Sequence, residues 1–464
     1  MIAEYERFIA GKLLRVEPTG FAVNDSQWRD MFPHQRLLTR WALARGRAAI
    51  FADTGLGKTR MQLHWAHEVA RKTGTRVLIL APLAVGAQTV AEARSIGIDA
   101  THCRDESQTG DAQIVVTNYE RLHLFDTTSY GGVVLDESSC IKHHDTRTFA
   151  TLTDTFARTV YKLCTTATPS PNDWTELGTH AEFLGVCSRA EMLAEFFVHD
   201  AAKTQDWRLK GHAREAFWQW VCEWGAMIRR PSDLGFSDEA YELPPLVVTE
   251  HTIATDDPIE GMLFAMPAQT LSERRTARRQ SLEDRVALCA RNVNATDEPW
   301  IVWCDLNAEA DALRAAIPDA IEVRGSDDAD HKERSLVAFS EGRARVLITK
   351  PSIAGFGMNW QHCARMAFVG VTDSYEAYYQ AIRRCWRFGQ RRPVEVHVFA
   401  SEMEGAVVAN LRRKEAIAQQ MADSLSDLTR EAVRENVCAT TRQTNAYHAR
   451  GAVVVPMFIQ QAKG

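Results

Sequence analysis

From residue 48 to about 185, short β-branched apolar runs alternate with longer stretches whose apolar residues recur at three- and four-residue spacing. The runs are "RAAIFA", "RVLILAP", "DAQIVVTNY", "GGVVLDE" and "VYKLCTTAT". Between the first two, "KTRMQLHWAHEVAR" places Leu63, Ala66 and Ala70 on one helical stripe. Strands that are apolar throughout and separated by helices predict a parallel sheet covered on both faces. The rhythm returns after residue 298 with "PWIVWC", "AIEVRG", "ARVLITK", "ARMAFVGV" and "VEVHVFA", interleaved with helices such as "NAEADALRAAI" and "SYEAYYQAIRRCWRF". The predicted fold class is therefore α/β with two parallel-sheet domains, 1–185 and 298–400. Residues 186–297 differ in kind: Trp-rich and helical through "AFWQWVCEWGAMIRR", turn-rich around "PSDLGFSDEAYELPP", then a basic helix. They predict a helical insert or bridge. An amphipathic helix over 401–435 and a loosely patterned tail to 464 complete the chain.

A length of 464 residues also calls for more than one core. With 45% hydrophobic and 25% charged residues the composition is that of a soluble globular protein, and the net charge of −6 excludes a uniformly basic surface. Nucleic-acid contacts would have to come from local clusters, "SERRTARRQ", "AIRRCWRFGQRR" or "NLRRKEA", each of which also reads as a solvated helix face. The ten cysteines form no C-x-x-C pair, and "HWAHE" and "KHHD" lack zinc-ligand spacing, which predicts a reduced, cytoplasmic protein without a zinc site. The N-terminus lacks the pattern of a signal peptide. The longest apolar stretch, "VLILAPLAVGA", is about eleven residues, too short to span a bilayer, so no membrane partner is expected.

"FADTGLGKTR" carries the candidate chemistry of the first half. It follows the phosphate-loop pattern G-x-x-x-x-G-K-[ST] except that Ala52 replaces the first glycine. Backbone N–H groups that curl around a phosphate need positive φ, which Gly55 and Gly57 supply, while Ala52 at a strand end keeps a negative φ. Strand, glycine turn and helix N-terminus together favour an anion. Asp53, Thr54, Gly55, Leu56, Gly57, Lys58 and Thr59 are thus the candidate nucleotide-binding segment, with Lys58 toward the β- and γ-phosphates of ATP and Thr59 toward Mg2+. "GGVVLDESS" delivers Asp136 and Glu137 at a strand end, Asp136 as a second Mg2+ ligand and Glu137 as the group that polarises the attacking water. In "YYQAIRRCWRFGQ", Gln380, Arg384 and Arg387 fall at spacings of four and three, which predicts one helical face. Gln380 is assigned to the nucleotide site, and the two arginines to catalysis as fingers on the transferring phosphoryl group.

In this order the segments resemble a superfamily 2 helicase of the DEAD/DEAH-like kind, and within it the Swi/Snf-type DNA translocases. "ADTGLGKT" resembles motif I of that group, "FPHQ" the upstream adenine-reading segment, "LILAPLAV" and "VVTNYERL" the loops on the nucleic-acid backbone. "TTATPSPNDWTELG", "ITKPSIAGFGMNW" and "QAIRRCWRFGQ" resemble motifs III, V and VI. "MIRRPSDLGFSDEAYELPP" resembles the segment, with Arg229, Arg230, Leu243, Pro244 and Pro245, that links the lobes of the Swi/Snf-type subgroup. The resemblance implies two RecA-like domains about an ATP cleft, Gln35 as the base-recognition residue, Thr166 and Thr168 coupling hydrolysis to domain closure, and an ATP-dependent DNA translocase or helicase. DNA is the implied partner, duplex first, with single-stranded DNA or RNA left open. Other DNA-processing proteins are possible partners. Backbone N–H groups and the hydroxyls of Thr117 and Thr349 are expected on the phosphates. Three positions depart from the subgroup: Ser139 in Asp-Glu-Ser-Ser, Arg383 where an acid is usual, and Trp386 where a histidine is usual. The compact chain looks most like phage-borne members. A nucleotide-gated scaffold and the motor subunit of a larger complex are the competing functions, and the Lys58, Glu137 and Arg387 set argues against the first.

Overall fold

The computed structural model describes residues 16–82, 85–170, 173–199, 207–253, 281–354, 358–370 and 374–401, with 409, 412, 413, 433, 434 and 437. The basic run at 272–280, most of 401–464 and the 355–357 portion of the motif V-like segment lie outside them.

The first sheet has seven strands: β1 (Arg47–Ala52), β2 (Arg76–Ala81), β3 (Thr101–His102), β4 (Ile114–Asn118), β5 (Tyr130–Asp136), β6 (Tyr161–Thr165) and β9 (Gly225–Ile228). A short antiparallel hairpin of β7 (Phe197–His199) and β8 (Trp207–Leu209) stands apart. Strand order is β3-β4-β2-β5-β6-β1-β9, and every pairing is parallel. Successive side chains of a strand point to opposite faces. In β1, Ile50 accordingly joins the apolar layer under helices Pro33–Arg45 and Lys58–Thr73, while Ala49 and Phe51 join the layer that contains Trp218, Trp220 and Trp224. The helical stripe read from Leu63, Ala66 and Ala70 is the buried face of Lys58–Thr73.

The second sheet has six parallel strands in the order β10-β15-β14-β11-β13-β12. They are β10 (Leu246–Ile253), β11 (Trp300–Trp303), β12 (Ala320–Val323), β13 (Val346–Thr349), β14 (Arg365–Phe368) and β15 (Val394–Ser401). Its two apolar layers again divide alternate residues, Ile301 and Trp303 on one side, Trp300 and Val302 on the other. Arg285 and Glu309, both fully buried, pair at 2.8 Å beside that sheet.

Two local predictions need correction. The helix expected through "AFWQWVCEWGAMIRR" stops at Trp224, because Gly225 takes an extended conformation, φ −125° and ψ 126°, and Gly225–Ile228 pairs with β1 as an edge strand. The helix expected through "SYEAYYQAIRRCWRF" stops at Ile382. Residues 384–390 turn instead through bonds of mixed span: Arg384 N–H to Ala381 O at 3.2 Å, Cys385 N–H to Ile382 O at 3.1 Å, Trp386 N–H to Ile382 O at 3.0 Å, Arg387 N–H to Cys385 O at 3.1 Å and Gln390 N–H to Arg387 O at 3.0 Å. Gln380, Arg384 and Arg387 therefore share no helical face. The turn is fixed from outside by Trp386 Nε1–H, which donates to Pro244 O at 2.8 Å, and by Gln390 Nε2–H, which donates to Cys363 O at 3.0 Å.

Candidate functional site

β1 ends at Ala52 and hands the chain to a loop that is held before any ligand arrives. Asp53 N–H donates to Ile228 O of β9 at 3.0 Å, and Leu56 N–H closes a turn on Asp53 O at 3.3 Å. Gly55 and Gly57 stand at φ +93° and +81°. Gly57 opens the helix Lys58–Thr73 with no side-chain cap and no acid in the first turn. Unpaired N–H groups at such a terminus are an anion site. Lys58 Nζ meanwhile folds back onto Ala52 O at 2.9 Å and Asp53 O at 3.4 Å. Burial lowers its pKa, and the charges of Glu137, Asp53 and Asp136 oppose that shift. An ammonium resting on loop carbonyls with three acids about it is placed to turn toward phosphate oxygens. Thr59 follows as the next residue of the same helical turn.

Gln35 supports this loop from behind. Its Nε2–H donates to Leu56 O at 3.0 Å, its Oε1 accepts Phe32 N–H at 3.0 Å, and it is 3% exposed. The amide expected to read a base is thus engaged with the loop itself. Phe32, Tyr241 and Phe388 gather beside it, with ring centroids 4.9 to 6.0 Å apart, drawn from the upstream segment, the bridge and the second lobe. A Cβ added at Gly57 would stand 2.2 Å from Gln35 Nε2. Gly57→Ala therefore adds a clash to the left-handed strain of about 1–3 kcal/mol, and nucleotide affinity should fall by at least about tenfold in a titration with fluorescent ADP. Gly74→Ala is the matched control. It carries φ +66° at the far end of the same helix with nothing within 4 Å, and should leave that affinity unchanged.

Opposite the loop, β5 delivers Asp136, 7% exposed, whose Oδ1 accepts Gln62 Nε2–H at 2.6 Å. Gln62 also reaches Thr165 Oγ1 at 2.5 Å, and its Oε1 is buried without a hydrogen bond. Burial, then the Glu137 charge, push the Asp136 carboxyl up to about 6, against the Gln62 hydrogen bond and Lys58. A buried, acid-flanked carboxylate with one oxygen uncommitted to Gln62 is the kind of group a divalent cation takes. Glu137 follows with φ +52°, the only non-glycine positive φ among the described residues. A side chain pays for left-handed backbone, and such residues gather at functional sites. Thr166 Oγ1–H donates to Glu137 Oε2 at 3.4 Å, and Thr168 N–H donates to Thr166 Oγ1 at 3.1 Å, so the motif III-like segment touches the acid directly.

The second lobe brings Arg384 and Arg387 into the same field. Burial lowers the pKa of both, that of Arg387 to about 9 with Arg384 and Arg383 adding to the effect, and the Glu137 charge opposes the shift in each. Arg384 is held by Met358 O at 3.2 Å and by Gln380, whose Oε1 accepts its N–H at 3.1 Å. Gln380, 1% exposed, lies behind that arginine and orients it. The basic cluster "AIRRCWRFGQRR" is therefore no solvated face at Arg383 and Arg384, which are 4% and 2% exposed. Thr117 and Thr349 are also corrected: both are buried and spend their hydroxyls inward, on Cys103 O at 2.8 Å and Val323 O at 3.1 Å. Sequence reasoning missed Gln62, a polar residue on an otherwise apolar helix face, as well as Tyr241, Tyr379 and Phe388.

On the far side of Glu137 a cavity of about 1060 Å³ runs between the lobes. Arg104, Arg121 and Lys142 line it from the first lobe and Lys332 from the second, together with the acids Glu120, Glu137 and Glu341 and with Asn118 and Ser139.

Residues 32–177 match the model of the DEAD/DEAH box helicase family, and residues 284–389 match that of the helicase conserved C-terminal domain. The chain belongs to the DEAD/DEAH-like helicases. It is accordingly a nucleic-acid-dependent ATPase of the helicase class, with two RecA-like lobes. No curated protein matches its sequence. Among solved structures, it is similar to the Sulfolobus solfataricus SWI2/SNF2 ATPase core in complex with dsDNA, at 16% identity and TM-score 0.41, over 91% of this chain and 99% of that one. It is also similar to S. cerevisiae Dbp5 bound to RNA and ADP BeF3, at 12% identity and TM-score 0.52, over 83% and 89%. At such identity the second likeness is one of fold. No helix of the described residues is long and apolar enough to cross a membrane.

Proposed function

We propose that this helicase-family ATPase is a DNA translocase of the Swi/Snf type, similar to phage-borne members, which hydrolyses ATP between its lobes and tracks duplex DNA. The observation that carries the proposal is the interlobe cavity bordering Glu137, into which Arg104, Arg121 and Lys142 come from one lobe and Lys332 from the other. A phosphate backbone held by Arg104, Arg121 and Lys142 on one lobe and Lys332 on the other is gripped by both halves of the motor. Such a grip is governed by charge, with little sequence preference and steep loss of affinity in salt. Tracking needs alternating hold on one strand as the lobes open and close, and no unpairing of bases. The lobes of this division are centred on residues 1–185 and 298–400; the bridge 186–297 gives an edge strand to each, β9 to the first sheet and β10 to the second, and 401–464 is a C-terminal extension.

In the ATP site proposed here, loop N–H groups and Lys58 bind and orient the triphosphate. Gln62 fixes Asp136, and Thr166 fixes Glu137, which accepts a proton from water. Arg384 and Arg387 offset charge on the γ-phosphoryl from the second lobe. Mg2+ held by Thr59 and Asp136 would neutralise phosphate charge and orient the oxygens.

The test is ATP hydrolysis at fixed low salt with no nucleic acid, single-stranded DNA, duplex DNA or RNA. Duplex DNA is expected to stimulate most, single strands less. Strong stimulation by RNA alone would overturn the substrate while leaving the ATPase standing. No stimulation by any of the three nucleic acids would favour the scaffold.

A further inference from the structure

Arg383 sits at the first position past the helix Tyr375–Ile382, and its guanidinium crosses to the first lobe. It stands 3.0 Å from Asp53 Oδ2 and donates to Thr54 O at 2.9 Å. Tyr379, one turn earlier, donates its hydroxyl to Asp53 Oδ1 at 3.0 Å, and Thr54 N–H donates to the same oxygen at 2.6 Å. Both oxygens of the Asp53 carboxylate are thus held from the opposite lobe. The rings of Tyr379 and Trp386 flank the guanidinium at 5.5 and 5.1 Å, so its position is packed as well as charge-paired.

Asp53 is the one acid between Ala52 and Thr59, a segment whose N–H groups suit a polyanion. Left unpaired, that carboxylate repels the ligand its own loop is shaped to hold, and in a partly buried site the repulsion is poorly screened. We propose that Arg383 is a positioning residue that supplies the counter-ion for Asp53 from the second lobe, so that the phosphate loop becomes fully receptive to ATP only when the lobes are together. This rests on the loop being the ATP site. It adds that the second lobe acts on binding through Arg383, apart from any action of Arg384 and Arg387 on the transferring phosphoryl group. Position 383 is one where this chain departs from the Swi/Snf-type pattern, so the pair belongs to this chain and not to that pattern.

A double-mutant cycle on the full chain tests it: Arg383→Ala, Asp53→Asn and the two together, with Arg383→Lys as the charge-keeping variant. ATP hydrolysis gives KM and kcat, and fluorescent ATP gives binding directly. Arg383→Ala should raise KM about tenfold, with kcat changed less than about twofold. Arg383→Lys should recover part of the loss, and the double variant should bind ATP within about twofold of Asp53→Asn alone, because the charge to be neutralised has gone. Thermal unfolding midpoints of all four without nucleotide identify a variant that fails to fold, in which case Arg383→Lys against Asp53→Asn carries the comparison. Additive losses in the cycle, or a fall in kcat at unchanged KM, would overturn the proposal. A wild-type chain that neither binds nor hydrolyses ATP sinks the site assignment along with it, whereas a wild type that does both and shows additive losses sinks this proposal alone.

Discussion

Glu137→Gln is expected to keep ATP bound while reducing hydrolysis by about 10²–10⁴-fold, the usual contribution of a positioned general base. The substitution keeps the side chain's size and an acceptor toward Thr166, whose hydroxyl lies 3.4 Å from Oε2, and removes its basicity and charge. Lys58→Ala should behave differently and abolish turnover together with tight ATP binding. On the proposed assignment Lys58, the loop's own cation, meets the ground-state phosphates, whereas Glu137 acts on water in the transition state. Steady-state hydrolysis paired with a fluorescent-nucleotide titration separates the two. Hydrolysis by Glu137→Gln at the wild-type rate would remove Glu137 from its proposed role.

Arg387→Ala should lower kcat by about 10³–10⁵-fold, as for other arginine fingers, and alter ATP affinity little when no nucleic acid is present. Its charge is costly where it stands: burial, Arg384 and Arg383 bring its pKa down to about 9, and its Nε is buried without a hydrogen bond. A cation kept in such surroundings without a structural partner at Nε is positioned for negative charge that appears during reaction. Arg387→Lys should restore only part of the rate, since a point charge cannot reproduce the forked guanidinium. Equal losses in binding and rate would make Arg387 a ground-state ligand or a structural residue.

The ten strands read from apolar runs all form, because a strand buried on both faces has a pattern that little else produces over so few residues. Gly225–Ile228 was not legible: "GAMI" continues a Trp-rich helix in sequence, and only pairing with β1 makes it a strand. β10 escaped for the opposite reason, since Val247 and Val248 are 48% and 46% exposed on an edge and nothing in "LVVTEHTI" marks a core strand. At the site, the loop and the Asp136–Glu137 pair were visible as local motifs. Arg383 and Tyr379 were not, because their partner Asp53 is more than three hundred residues away and helical spacing fails once the helix ends at Ile382. The departure at Arg383 becomes intelligible only across the lobes, through Asp53, and that at Trp386 through Pro244 at the entry to β10.

The chain passes from one lobe to the other between β9 and β10, and both ends of that passage are tied down as parallel edge strands. β10 lies along β15 over eight register pairs from Leu246 to Ile253, whereas β9 lies along β1 over four from Gly225 to Ile228. Load carried by the connection runs along the strands and so shears their ladders. With half the pairs, the β9 ladder is the shorter of the two. It is also the end whose last carbonyl, Ile228 O, holds Asp53 N–H. Tension between the lobes would thereby reach the first residue of the phosphate loop, and the grip on nucleotide proposed for that loop would then answer to mechanical force as well as to concentration.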